Sequence, residues 1–237
     1  MEKQNGKKQN GNGSLLEYRR LINKSMDTIL FRHAPIGDDG PAQKEAAKKN
    51  LVGVMLNGND AAKVEAFGGI FTMFNSTSPY IAELGVSAIS ESIMKGNRKV
   101  RQMALDKLSD LLMMDYSARF NSDGALTQTD IKKLLDGSEN PKDKEQSVIR
   151  DLEETRARAG ILFVQLLEKG NSNLNAQIYR IIRTAMNNDR SEVKNAAYDI
   201  IGAAAISENA AVRKATKKLY GNAINNNQNS AMLRTDG

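Results

Sequence analysis

Residues 78–114 read SPYIAELGVSAISESIMKGNRKVRQMALDKLSDLLMM. The apolar residues recur at intervals of three and four, the period of a helix with one face turned to a core. Ser78-Pro79 puts a capping residue before a proline in the first turn, where the missing N–H costs nothing. Gly96-Asn97 stops the first helix with residues that tolerate positive φ, and the pattern then resumes. Two helices, 79–95 and 98–114, thus form a pair of helical-hairpin length.

The same spacing runs through most of the chain. It predicts helices near 15–31, 41–57, 60–74, 127–135, 143–168, 173–187, 190–206 and 208–222 as well. Thr127 and Asp130 resemble a capping box with Asp in place of Glu, and Gly170-Asn171 repeats the Gly-Asn stop. No alternating strand of useful length is visible. The expected class is all-α, a helical bundle core over 15–222 between arms at 1–14 and 223–237. The first arm, MEKQNGKKQNGNGS, and the last, within NAINNNQNSAMLRTDG, carry too little apolar surface to offset the entropy of ordering them. The weakest connection is 115–147, where the core can be subdivided. Hairpin-length pairs suggest a HEAT-like repeat, yet no sustained sequence period emerges.

Composition narrows the function classes. The chain has 237 residues, a formal charge of +6 and no cysteine. Disulfides, thiolate metal sites and cysteine nucleophiles are therefore excluded. The N-terminus has no signal-peptide pattern, and no apolar run approaches the ~18 residues of a membrane span. A soluble intracellular protein without membrane contact is expected. The basic excess is compatible with an anionic partner.

Motifs for catalysis or cofactors are missing. RFNSDGALTQTD, 119–130, places Asn121, Asp123, Gly124, Leu126 and Asp130 at calcium-loop positions 3, 5, 6, 8 and 12. Position 1 is Arg119, a cation where a divalent ion needs a carboxylate, so this stretch reads as a turn before a capped helix. His33, the single histidine, has no ligand spacing around it and reads as a helix C-terminal residue. Gly68-Gly69 in GGIF reads as a site of close helix packing. No nucleophile–base motif, P-loop or dinucleotide fingerprint occurs. The protein is expected to be no enzyme and to hold no cofactor or metal.

Three polar groups call for explanation. In KGNRKVR, 95–101, Arg98, Lys99 and Arg101 sit at a helix start, where cations oppose the macrodipole. That cost suggests an anionic partner, against a plain solvated face. VRKATKK, 212–218, is basic too, but Lys214, Lys217 and Lys218 lie in the last helix, where the dipole favours them unaided. In TRARAGILF, 155–163, Arg156 projects at the edge of an apolar sector formed by Val148, Leu152, Thr155, Ala159, Leu162, Phe163 and Leu166. Arg158 lies on the other flank, four residues after Glu154, which makes an ordinary i,i+4 pair the simple account. In NAAYDIIGAAAI, 195–206, Asp199 is the lone charge. It lies opposite Val193, Ala197, Ile201 and Ala204, as a solvated carboxylate would. A helix apolar all round is normally buried, however, and a buried carboxylate needs a cation, which Arg156 or Arg158 would supply.

These residues resemble the coat proteins of flexible filamentous plant viruses, of the potyvirus and potexvirus type. Ala197-Tyr198-Asp199 is similar to that family's Ala-aromatic-Asp signature, with Arg158 or Arg156 about forty residues before it. AAKVEAFGGIFTMF, 61–74, resembles an early helix of the potexvirus type. The Arg–Phe spacing differs from the family pattern, Ile200 replaces an aromatic, and there is no tryptophan. The resemblance implies a capsid or nucleocapsid protein that grips single-stranded RNA and self-assembles into a helical filament, found in the virion and host cytoplasm. It implies RNA contacts at Arg158, with Arg156 as substitute, and at Asp199; the basic cluster Arg98, Lys99 and Arg101 would add phosphate contacts. The competing expectation is a HEAT-like scaffold that binds a protein.

Overall fold

The computed structural model describes residues 14–30, 40–114 and 141–221. All regular structure among them is α-helical, as the spacing predicts. The chain divides into two compact units, Met1–Ala104 and Leu105–Gly237. The calcium-like loop 119–130, the helix expected near 127–135, His33, residues 1–13 and the segment from 222 lie outside the described residues.

The first unit holds α1 (Leu15–Ile29), α2 (Gly40–Asn57), α3 (Asp60–Phe74) and α4 (Pro79–Lys95). The next helix, α5 (Arg98–Met113), contains the boundary between the units. Helix α2 is the hub of the first unit and packs on α1, α3 and α4. Its sequence has no clean polar face, because Leu51, Val52, Val54 and Met55 are all buried among those neighbours. Even Lys44 and Lys48 are buried here. Their stems lie along apolar surface while Lys48 Nζ meets Glu45 at 2.6 Å and donates to Ser87 Oγ. The second unit holds α6 (Pro141–Lys169), α7 (Ser172–Met186), α8 (Ser191–Ala205) and α9 (210–221). Helices α6, α7 and α8 pack mutually, and α9 joins α7 through a bond between the Tyr179 and Thr216 hydroxyls and one from Tyr220 Oη to the Tyr179 carbonyl.

Helix starts recur at a fixed interval. Asn59, Ser78 and Asn97 precede α3, α4 and α5 at steps of 19 residues, and Asn171, Arg190 and Asn209 precede α7, α8 and α9 at the same step. The four asparagines each accept the backbone N–H three residues on: Ala62, Val100, Leu174 and Val212. That bond satisfies one of the amides a helix start leaves open. Burial follows the same beat. The third, seventh and eleventh residues after each start are buried, as in Ala62, Ala66 and Ile70, or Val193, Ala197 and Ile201. Two helices and 38 residues therefore make one repeat, seen from Asn59 to Asn97 and again from Asn171 to Asn209. The period escapes residue-by-residue comparison because what repeats is burial and capping, which Ala, Ile, Val and Leu fill interchangeably.

Expected and observed helix bounds agree within two residues where both exist. Ser14, expected within the first arm, belongs to α1: its hydroxyl accepts from Glu17 N–H while the Glu17 carboxylate accepts from Ser14 N–H. Of the Gly68-Gly69 pair, only Gly69 sits in close packing, where a Cβ would lie 2.9 Å from Met26 Sδ of α1; Gly68 faces open space.

The tightest approach is at Gly85, where α4 meets the end of α3. A Cβ there would stand 2.3 Å from Phe74 N and 2.6 Å from Phe74 Cα. Backbone has to move to admit it. Gly85→Ala is expected to cost about 2 kcal/mol despite alanine's better helix propensity. Denaturant unfolding of the two proteins measures this, with Gly68→Ala as a neutral or stabilising control.

Candidate functional site

The arginines of α6 have different environments. Arg156 is buried at 5% exposure, and its guanidinium donates to the Met114 carbonyl oxygen at 2.6 Å, where α5 ends. Arg158, two residues on, is half-buried on another side of the helix. Five residues of the apolar sector predicted from the wheel, Thr155, Ala159, Leu162, Phe163 and Leu166, are buried, and the side chains of Val148 and Leu152 lie outside the described ones. Arg156 sits at its edge as expected and is engaged by the end of another helix.

Asp199 is exposed on α8. Of the two readings the sequence left open, a solvated carboxylate and a buried one held by an arginine, its exposure matches the first. Helix α8 is apolar nearly all round, yet it is buried on one face only, through Val193, Ala197, Ile200, Ile201, Ala204 and Ala205. On the other side Gly202, Ala203 and Ile206 are open to solvent. Small side chains leave no ridge there to pack against, so the face stays uncovered among the described residues.

That open face forms a groove with α6 of about 480 Å³. Ala157, Gly160, Ile161 and Val164 line one wall, and Ala196, Ile200 and Ala203 the other. The helices approach closely at its base, where a Cβ on Gly160 would lie 3.2 Å from Ile200 Cγ1. The groove's charged lining residues are Glu153, Glu192, Asp199 and Arg156. Arg156 and Asp199 are thus brought to one groove, and Arg158 is not among its lining residues. Three carboxylates against one arginine that already serves a backbone carbonyl make this a poor cradle for phosphate.

The cluster at the start of α5 has a local explanation. Arg98 and Lys99 are exposed. Lys99 Nζ lies 2.6 Å from an Asp60 carboxylate oxygen at the start of α3, and both side chains are about 70% exposed. The ammonium holds the Asp60 carboxyl below its usual range, first through the hydrogen bond and then through charge. Arg101 donates to the carbonyls of Ile93 and Gly96. It stands at the N-terminus of its own helix but at the C-terminus of α4, where a cation is favoured. The dipole cost read from sequence is offset by the hairpin partner, so an anionic partner is not needed to explain Arg101.

The same device recurs four residues after other asparagine caps. Asn175 Nδ2 donates to the Leu167 carbonyl, and Arg213 donates to those of Ser207 and Glu208. At Arg101 and Asn175 this side chain closes the end of the preceding helix, and at Arg213 it ties down the turn that follows α8. Spacing alone could have revealed it: Arg101, Asn175 and Arg213 each stand four residues past an Asn.

A second feature was only partly read from sequence. Helices α7 and α9 carry Arg180, Arg183, Arg213, Lys214, Lys217 and Lys218 and no carboxylate. Arg180, Arg183, Lys214, Lys217 and Lys218 are exposed. Arg180 and Arg183 line a shallow depression of about 590 Å³ with Ala176, Ala211, Ala215 and Leu219, and no acid lines it. Arg183 also lies beside the Tyr220 hydroxyl. Burial pushes that phenol up from its usual range and the guanidinium partly counters the shift. The 212–218 run was visible in sequence, but that its helix shares a depression with Arg180 and Arg183 follows only from the pairing of α7 with α9.

No family model matches the chain, and no curated protein matches its sequence. Among the described residues there is no group of three or more His, Cys, Asp and Glu side chains able to hold a metal, and no helix is long and apolar enough to cross a membrane.

Two substitutions separate structural from solvated cations at the α5 start. Arg101→Ala is expected to lower stability by about 1–2 kcal/mol, since two helix-end carbonyls lose a charged donor. Lys99→Ala should leave the melting temperature nearly unchanged, because its pair with Asp60 is solvated. Thermal melts followed by circular dichroism check both.

Proposed function

We propose that the chain coats single-stranded RNA without reading its sequence, as a structural subunit of a capsid or nucleoprotein type, through the α7–α9 surface. The observation that carries this reading is the charge pattern of those two helices: six cations, no carboxylate, and two arginines on a shared depression. Phosphates attract such a surface whatever bases they join, and release of their counterions supplies the binding free energy. Exposed aromatic side chains for base stacking are absent from the lining of the depression, which favours backbone contact over base recognition.

The reading moves the RNA contacts away from the residues that the coat-protein resemblance indicated. Arg156 faces a backbone carbonyl and Asp199 stands in an acidic setting, whereas Arg180 and Arg183 line a depression without an acid, and Lys214, Lys217 and Lys218 are exposed on a helix that carries no carboxylate. Self-assembly into a filament belongs to the same proposal and rests on the resemblance.

Fluorescence anisotropy with unrelated single-stranded RNAs across a salt series tests the surface. Arg180→Ala and Arg183→Ala are each expected to reduce the slope of log affinity against log salt by roughly 0.7, equally for every sequence. Arg158→Ala and Asp199→Ala should leave the slope in place. Loss of slope in Arg158→Ala with none in Arg180→Ala or Arg183→Ala returns the site to α6 and overturns the assignment to α7–α9.

A further inference from the structure

The α6–α8 groove has a use that phosphate binding does not explain. Its floor is apolar and built from small residues, yet large apolar side chains stand open beside it: Ile161 is 59% exposed and Ile206 at the end of α8 is 82% exposed. On α6 the apolar positions are Ala157, Ile161 and Val164, and on α8 they are Ala196, Ile200 and Ala203. Each set steps by three and four residues over two helical turns, about 10 Å of axis. Two such rows side by side match the ridge of a third helix, the arrangement by which an amphipathic helix lies in a groove.

The charges around this floor select the occupant. Glu153, Glu192 and Asp199 line it, from both walls. The single arginine among the lining residues, Arg156, is buried and directed to the Met114 carbonyl. An apolar stripe flanked by acids repels an acidic helix and attracts one whose stripe is flanked by Lys and Arg.

We infer that the α6–α8 groove docks an amphipathic helix of a partner protein, about two turns of it in contact, with apolar side chains over Ala157, Ala196 and Ala203 and basic side chains toward Glu153, Glu192 and Asp199. The small floor residues admit the partner's larger side chains, and the carboxylates set its charge preference. Asp199, the lone charge of its helix, then serves to choose the partner's sign rather than to orient an arginine.

The test uses the full chain and two labelled synthetic helical peptides of about 14 residues, four turns. Both carry leucines on one stripe; one flanks them with lysines, the other with glutamates. The lysine peptide is expected to bind, and the glutamate peptide to bind at least tenfold more weakly. Ala203→Trp fills the floor at an exposed position and should abolish binding while the helical circular dichroism and melting temperature persist. Asp199→Lys should weaken the lysine peptide about tenfold and strengthen the glutamate peptide. RNA affinity should be unchanged in Ala203→Trp, which separates this groove from the α7–α9 surface. Equal binding of the two peptides, or lysine-peptide binding indifferent to Ala203→Trp, overturns the inference. So does sedimentation showing that wild-type chains associate and that Ala203→Trp separates them, since the occupant is then a second copy.

Discussion

The repeat of the fold depends on how four of its helix starts are closed; α4 and α8, behind Ser78 and Arg190, start without a side-chain cap bond. A helix of 15 to 17 residues leaves amides at one end and carbonyls at the other, and in a chain of stacked helices most of these ends lie near a neighbour. Asn59, Asn97, Asn171 and Asn209 close the amides with their side-chain oxygens. Four residues on, Arg101 and Asn175 reach back to close carbonyls of the preceding helix, and Arg213 reaches the Ser207 and Glu208 carbonyls in the turn after α8. One turn of sequence thus satisfies two helix ends at once. The burial pattern is phased to the same point, so cap and core share one origin.

Charge is distributed unevenly over this scaffold. In the second unit, α6 and α8 place carboxylates around an apolar groove, whereas α7 and α9 carry cations alone. Opposite charges on distinct helix pairs give one unit two surfaces with different electrostatic preferences. The overall formal charge of +6 conceals this, because it averages an acidic-lined groove with a basic face.

Much of the architecture was legible in the sequence. The 3.6-residue spacing gave the helices, and Ser78-Pro79, Gly96-Asn97 and Gly170-Asn171 gave several boundaries, because such signals act within a few residues of chain. Arg156 at the edge of the α6 apolar sector was also legible, since helical geometry fixes that angle. What the sequence left open depends on which helices meet. Arg101 looked destabilising until the end of α4 appeared beside it. Asp199 looked buried because a row of Ala and Gly reads as core, although small residues can equally floor a groove. The depression that Arg180 and Arg183 share with Ala211, Ala215 and Leu219 of α9 joins residues about thirty positions apart, where Tyr179 packs on Tyr220.

The shared origin of cap and core also governs how such a chain can change length. Removing or adding 38 residues between equivalent asparagines returns every later side chain to the same phase, so a whole hairpin is a unit of gain and loss. Removing three or four residues inside a helix rotates everything between that point and the next cap, and the reach-back side chain no longer meets its carbonyl. Tolerance to insertion is therefore quantised along the sequence: a whole hairpin keeps every cap and reach-back bond in phase, whereas a shorter insertion beside a cap, as between Gly96 and Asn97, moves Arg101 from the Ile93 and Gly96 carbonyls.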